Sequence, residues 1–481
     1  MKINNKTALN FFPCVGCFIF LITLFLNSCN KSKIKPNTNK APSSKSIKFE
    51  TLTQHSSKKN NKNFELISNL QSGIDFKFDL GDFYSRAKEY IFATPMGGVA
   101  TGDFNGDSLP DIYFTSPSGG NKLYKNLGNF KFTDVTKSAA LEDTSIWGTG
   151  AGFVDIDGDG DLDIYACGYM TPNKIFINNG DETFTEKSKA IGLNHLGASM
   201  NLNFADIDGD NDLDAYLATT TKLPPPGTKF GVNFVKQKDG SEKPVIPNEI
   251  SEYWQFIYLP NKKVHRTEAG QADKIFINNN GVFVDATAQS GIKGNYFTLS
   301  ATWWDYDSDG DPDIYVSNDF TGPDMLYKND GKGVFKDSII SSIPHTPWFS
   351  MGSDSADVNN DGLIDLFATD MAATSHYREK VMMGNMNDMG WFLEHANPRQ
   401  YMRNALYINT GTDKMLESAF LSGIASTDWS WSPRLEDFDC DGLIDLFVTN
   451  GVIRDSMNSD ISIMADKQFK GGSPEWRKFW T

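Results

Sequence analysis

One short pattern recurs six times along this chain and limits what it can fold into. It reads "DFNGDSLPDIYF" from Asp103, "DIDGDGDLDIYA" from Asp155, "DIDGDNDLDAYL" from Asp206, "DYDSDGDPDIYV" from Asp305, "DVNNDGLIDLFA" from Asp357 and "DFDCDGLIDLFV" from Asp437. Asp or Asn stands at positions 1, 3, 5 and 9 of each segment, and an apolar run follows at once. Such alternation cannot be a half-buried strand, because one whole face would be carboxylate. It reads as a loop, and acidic side chains crowded into a loop repel one another unless positive charge sits among them.

The loops start 52, 51, 99, 52 and 80 residues apart, so the unit is about 50 residues, with two insertions. Midway between loops a second element recurs, as in "KLYKNLGNFKFTDVT", "KIFINNGDETFTEKS" and "ALYINTGTDKMLESA". Each is a short alternating strand, an Asn/Gly turn and a second strand, which is a hairpin signature. One unit is therefore four short antiparallel strands, with the acidic loop joining the first two. The expected fold class is all-β, a β-propeller of four-stranded antiparallel blades, seven or six in number.

Oxygen ligands at alternate loop positions suit a hard cation. Ca²⁺ takes six to eight oxygens in irregular geometry, whereas Mg²⁺ demands a strict octahedron and keeps its waters. No His or Cys occupies a ligand position, which argues against zinc and copper. An EF-hand loop would close with Glu at position 12. Here that position holds Phe114, Ala166, Leu217, Val316, Ala368 and Val448. The expected side-chain ligands of the first three loops are Asp103, Asn105, Asp107 and Asp111; Asp155, Asp157, Asp159 and Asp163; and Asp206, Asp208, Asp210 and Asp214. In the last three they are Asp305, Asp307, Asp309 and Asp313; Asp357, Asn359, Asp361 and Asp365; and Asp437, Asp439, Asp441 and Asp445. The position-7 carbonyls of Leu109, Asp161, Asp212, Asp311, Leu363 and Leu443 are expected to add one oxygen each. Position 6 is Gly in four loops, Asn211 in a fifth and Ser108 in the first, which implies left-handed backbone there and a weaker first site. Six Ca²⁺ would bring +12 against the formal charge of −16. That charge itself excludes nucleic acid as a partner, as well as simple electrostatic docking on anionic lipid.

The front end reads differently. Lys2 and Lys6 precede the apolar run "FFPCVGCFIFLITLFL", which is shorter than the roughly 18 residues of a spanning helix. It ends in "LNSC", so residues 1–28 are expected to be a signal peptide, with Cys29 either a lipidated first residue or a chance cysteine after an ordinary secretory signal. Residues 29–63 are rich in Lys, Asn and Ser and read as a flexible tether. The propeller is expected over 64–460 with a tail at 461–481, and Cys167 and Cys440 are expected to be unpaired.

Two insertions, 220–272 and 372–402, follow the second strands of their units. They carry aromatics with Arg and His, a combination suited to sugar stacking or carboxylate binding as well as to plain packing. The candidate ligand-binding residues are Trp254, Tyr258, His265, Trp391, His395 and Arg399. There is no nucleophile elbow, phosphate loop, zinc-protease helix or Cys–His arrangement.

The aspartate loops resemble the FG-GAP/VCBS repeat family of calcium-loop propeller blades. The stretches "MGSDSADVNNDGLIDLFATDMAATSHYREKVMMGNM", "RNALYINTG" and "STDWSWSPRLEDFDCDGLIDLFVTNGVIRD" more closely resemble bacterial proteins related to cartilage acidic protein, which usually carry an ASPIC/UnbV domain. The resemblance runs from about residue 64 to 460, and it implies a calcium-binding propeller whose ligands are the loop residues already named. The FG and GAP elements are degenerate here ("MGGVATGDF", "GTGAGFVDI"), and no ASPIC/UnbV segment is present. Either "FELISNLQSGIDFKFD" (64–79), which resembles the outer hairpin strands of a blade, closes the ring with the last loop, or the chain is a truncated product. The expected function is a non-catalytic binding or adhesion module for glycan or protein, lipid-anchored at a bacterial envelope, at the outer membrane on either its periplasmic or its surface face. The alternative is a polysaccharide lyase or hydrolase with its site in the insertions.

Overall fold

The computed structural model describes residues 64–77, 97–117, 120–222, 232–259, 261–320, 322–382, 390–451, 458–471 and 473–480. The signal segment, Cys29 and the tether lie outside them. Within them, strands follow the fifty-residue rhythm. The first unit is β1 (Val99–Gly102), β2 (Asp111–Phe114), β3 (Lys122–Asn126) and β4 (Phe132–Asp134). The second is β5 (Gly148–Val154), β6 (Asp163–Pro172), β7 (Lys174–Asn178) and β8 (Phe184–Glu186). In the third, β9 (Leu196–Ala205) and β10 (Asp214–Thr219) are separated from the outer strands by two inserted hairpins, β11 (Asn233–Lys236) with β12 (Glu242–Val245) and β13 (Trp254–Tyr258) with β14 (Val264–Glu268). Its outer strands are β15 (Lys274–Asn278) and β16 (Phe283–Asp285).

The fourth unit is β17 (Phe297–Trp304), β18 (Asp313–Asp319), β19 (Met325–Asn329) and β20 (Phe335–Asp337). After β21 (His345–Pro347) come β22 (Ser353–Ala356) and β23 (Asp365–Ala368) of the fifth unit, then β24 (Met371–Ala372) and β25 (Arg399–Tyr401) in the second insertion. β26 (Ala405–Asn409) and β27 (Met415–Glu417) complete that unit, and β28 (Asp428–Glu436) with β29 (Asp445–Asn450) begins a sixth. Every acidic loop joins the first two strands of its unit, and a strand leaves each loop.

The units share a common packing. First strands of successive units lie side by side: β1 on β5, β5 on β9, β9 on β17, β17 on β22 and β22 on β28. Hydroxyl groups bridge them, with Thr149 Oγ1 donating to the Ser199 carbonyl at 2.8 Å and Thr302 Oγ1 to the Ser353 carbonyl at 3.1 Å. The degenerate glycines of the first strands are explained by this approach: a Cβ at Gly98 or Gly150 would overlap the Thr149 or Met200 carbonyl of the next unit.

Five of the seven apolar clusters among the described residues sit between two consecutive sheets. Tyr113 and Leu123 of the first unit meet Ile164 and Phe176 of the second, Ile156 and Tyr165 meet Ala215 and Leu217, and Tyr315 and Leu326 meet Leu366 and Tyr407. Sheets stacked face to face about a line of first strands make a β-propeller-like fold.

Two features depart from the sequence reading. Residues 64–77 hold no strand; Asn69–Ser72 is one helical turn, capped by Ser68 and ended by Gly73 in left-handed backbone. That segment packs on the first unit, with Phe76 stacked on Phe114 and Tyr124 donating to Asp75 at 2.7 Å. The capped turn "SNLQSG" outcompetes the strand pattern because Ser and Gly at its ends satisfy its free backbone groups. The tail, expected only as a tail, contains helices Ser459–Gln468 and Pro474–Trp480. Cys167 is buried, Cys440 is exposed, and both are free.

Candidate metal centres and an aromatic pocket

In all six loops the position-1 aspartate folds the turn on itself. Asp155 accepts from the amides of Gly158, Asp159 and Gly160 at 2.8–3.1 Å, and Asp437 accepts from those of Asp441 and Gly442 at 3.0 and 2.8 Å. Position 5 in turn accepts from the position-7 amide, as Asp159 does from Asp161 at 3.0 Å. Position 6 is left-handed throughout, at φ 86–96° in the four glycines, 71° in Asn211 and 66° in Ser108.

Position 9 is the anchor. Asp111, Asp163, Asp214, Asp313 and Asp365 are buried and span two elements. One oxygen accepts from the position-2 amide, for example Ile156 N at 2.8 Å. The other accepts from the amide of an asparagine ending the third strand: Asn126, Asn178, Asn278, Asn329 or Asn409, at 2.7–2.8 Å. Three of these asparagines also donate through Nδ2 to the preceding unit's loop: Asn178 to Phe104, Asn329 to Ile207 and Asn409 to Tyr306, each at 2.8 Å. This latch was not identified from sequence, although its signal, the Asn before each hairpin turn, stood in every repeat. Asp445 of the sixth loop is exposed, and no third strand is described there.

These hydrogen bonds shape the loop without using all its oxygens. In four loops three carboxylate oxygens converge within 4.8 Å of one another: Asp155/Asp157/Asp163, Asp206/Asp208/Asp210, Asp305/Asp307/Asp313 and Asp437/Asp439/Asp445. The other two carry an amide at position 3, Asn105 and Asn359. Asp208 Oδ1, Asp212 Oδ1 and Asp307 Oδ1 are buried and accept no hydrogen bond from the described residues. Buried acceptors without donors are costly. A hard cation relieves both that cost and the repulsion, so the donor set fits Ca²⁺.

The same strain is visible in titration. Burial, with neighbouring aspartates adding, pushes Asp111, Asp163 and Asp214 up to about 6 and Asp313 up to about 7. The fourth loop has its own answer: the Lys328 ammonium lies on Asp307 and 2.9 Å from Asp309.

The two insertions meet in a cavity of about 330 Å³, lined by Gln255, His265, Arg266, Thr267, Glu268 and Trp391 and floored by Tyr296, Phe297, Asp319, Phe320 and Gly322 of the fourth unit. His265 stacks on Trp391 with centroids 4.1 Å apart. Of the six candidate ligand residues, these two are brought together there. Trp254 backs the cavity, its ring 4.1 Å from the Arg266 guanidinium. Tyr258 is exposed at the hairpin end, and His395 and Arg399 lie on the surface outside the lining.

Asp319, which the sequence reading did not single out, is 7% exposed and accepts from the Phe320 amide at 2.8 Å. Burial drives its carboxyl well up, and the charges of Asp370 and Asp324 add to the rise. Glu268 is raised by the crowding of the cavity wall, although water reaches it, and Arg266 opposes the rise.

With this geometry established, known proteins give context. A family model described as FG-GAP-like repeat matches residues 103–166, 155–217 and 305–368, so the chain carries FG-GAP-like repeats. Cartilage acidic protein 1 of Xenopus tropicalis is 24% identical over 159 residues, covering 32% of this chain and 24% of that protein. The Mus musculus protein is 31% identical over 122 residues, covering 25% and 19%. The chain thus spans under a quarter of the length of these curated relatives. Among solved structures, an Agrocybe aegerita lectin that recognises non-reducing terminal N-acetylglucosamine is 14% identical, with TM-score 0.29, over 74% of this chain and 85% of its own. The V. cholerae biofilm matrix protein Bap1 is 14% identical, with TM-score 0.30, over 59% and 36%. Superpositions this loose leave the blade arrangement to be argued from the sheets themselves.

Proposed function

We propose that this chain is a calcium-stabilised β-propeller acting as a non-catalytic binding or adhesion module for glycan or protein at a bacterial cell envelope. The observation that carries the metal half is the convergence of three carboxylate oxygens in four loops, together with buried loop oxygens that lack donors. Up to six ions are bound, one per loop, by the oxygens of positions 1, 3, 5 and 9 and the position-7 carbonyl. The regular step from one first strand to the next supports a closed ring of six or seven blades. A lipid on Cys29, with residues 29–63 as tether, holds the module at the membrane; the support for this is the "LNSC" sequence.

Binding rather than turnover is favoured by the absence of nucleophile and cofactor motifs and by a cavity built from loops on a rigid frame. The competing reading, a polysaccharide lyase or hydrolase, draws on Glu268 and Asp319 as two carboxyl groups with displaced proton affinity in one pocket. Incubation of the calcium-loaded chain with an immobilised polysaccharide panel separates them. Retention of the protein without release of oligosaccharide is expected. Product formation that disappears in Glu268→Gln, with the melting temperature unchanged, would overturn the binding assignment in favour of the enzyme.

A further inference from the structure

We propose that the cavity between the two insertions is a subsite for the protonated amine of a single amino-sugar ring, with Asp319 as its counter-charge and the rings of Tyr296, Phe297, Phe320 and Trp391 as its walls. This rests on the reading of the chain as a glycan-binding module and names the ligand class.

The argument begins with Asp319. Its two acidic neighbours are satisfied internally: Asp370 accepts from the amides of Trp348, Arg403 and Phe349 at 2.8, 3.0 and 3.4 Å, and Asp324 accepts from Asn318 N at 2.8 Å and from the Tyr315 hydroxyl. Asp319, slightly less enclosed, takes a single hydrogen bond from the described residues, the amide of the next residue, and lines the cavity. No ion pair reaches it among those residues, and the guanidinium of the lining, that of Arg266, lies over the face of Trp254. A buried carboxyl beside two others, with one wall open to a cavity, is a seat for positive charge.

The rest of the lining decides which cation. A bare divalent ion needs six or more oxygens, and four of the eleven residues of this wall are Tyr, Phe or Trp. Aromatic rings around a carboxylate favour an organic ammonium, whose charge interacts with ring faces and whose N–H groups supply up to three donors. About 330 Å³ lies at the low end of the range of about 300–1,000 Å³ for small-molecule pockets, room for one ring. Gln255 and Glu268 at the rim are polar groups of the kind that ring hydroxyls meet. A lysine side chain would bring the charge but would leave most of the volume unfilled.

Calorimetric titration of the calcium-loaded full chain with glucosamine, N-acetylglucosamine, glucose and Nα-acetyl-lysine amide tests this. Glucosamine is expected to bind at least tenfold more tightly than the other three. Asp319→Asn is expected to lower that affinity at least tenfold and Trp391→Ala to weaken it, while Tyr258→Ala at the exposed hairpin end leaves it unchanged. Thermal melts establish that each variant is folded; should Asp319→Asn fail to fold, Glu268→Gln and the N-acetylated sugar carry the charge comparison. Equal binding of glucose, preference for the lysine amide, displacement of glucosamine by excess calcium, or no binding at all would each overturn the subsite. Glucosamine binding that persists in a protein indifferent to calcium would instead remove the metal reading and leave this one standing.

Discussion

Asp324 and Asp273 show how one atom decides a residue's behaviour. Each stands immediately before a third strand, where other units carry Asn121, Asn173 or Asn404. In the first unit Asn121 accepts from Ser116 N at 3.0 Å and donates to the Tyr113 hydroxyl at 3.1 Å. Asp324 makes the corresponding pair with Asn318 N and Tyr315, and burial pushes its carboxyl up to about 7. Its folded proton affinity exceeds the unfolded one, so the stability it contributes is complete below about pH 4 and is lost as pH rises toward 7. Asp324→Asn should therefore stabilise the chain at pH 8 by about 1–3 kcal/mol and change little at pH 4. Urea unfolding at both values checks this, and an equal effect at both would contradict it. The aspartate ladders were legible from sequence because their spacing is unlike any strand or helix. Asp319, Asp324 and Asp370 were not, since nothing in a string of residues tells a buried carboxyl from a loop one.

At the level of elements, three of the hairpin asparagines tie one acidic loop to the next. Asn178 donates to Phe104 O at 2.8 Å and to Leu162 O at 3.1 Å, while its amide holds Asp163. Asn178→Ala would strand two carbonyls while keeping the backbone bond to Asp163, and it is expected to cost roughly 2–4 kcal/mol in urea unfolding. It should also weaken calcium binding at the second loop. A cost under about 0.5 kcal/mol, the range of an ordinary surface substitution, would show that the latch carries no energy. The four-strand unit and its loop position were readable because turn chemistry and alternation agree there. The insertions were recognised as insertions, but the His265–Trp391 stack joins segments far apart in sequence, which no local pattern encodes.

Across the whole molecule, stability comes from apolar layers shared by successive sheets, and first strands must come close for those layers to form. Gly150 is where this is tightest. Its missing Cβ makes room for the Met200 carbonyl, so Gly150→Ala should destabilise by about 1–3 kcal/mol. Gly390→Ala, whose Cβ would meet nothing within 4 Å, serves as the neutral comparison in the same thermal melt. The repeat period announced these layers. It did not announce that residues 66–77 would pack as a capped turn against the first sheet, because the local hydrogen bonds of that turn outweigh its strand-like alternation. The claim on which the rest depends is that bound calcium replaces repulsion among the loop carboxylates. Each site saturated at a hundredfold over its dissociation constant adds about 2.7 kcal/mol to folding. Scanning calorimetry of the full chain with calcium and then with excess EGTA measures that sum directly. A melting temperature lower by roughly ten degrees or more in EGTA, restored by added calcium, is the predicted result; superimposable melts would contradict the account.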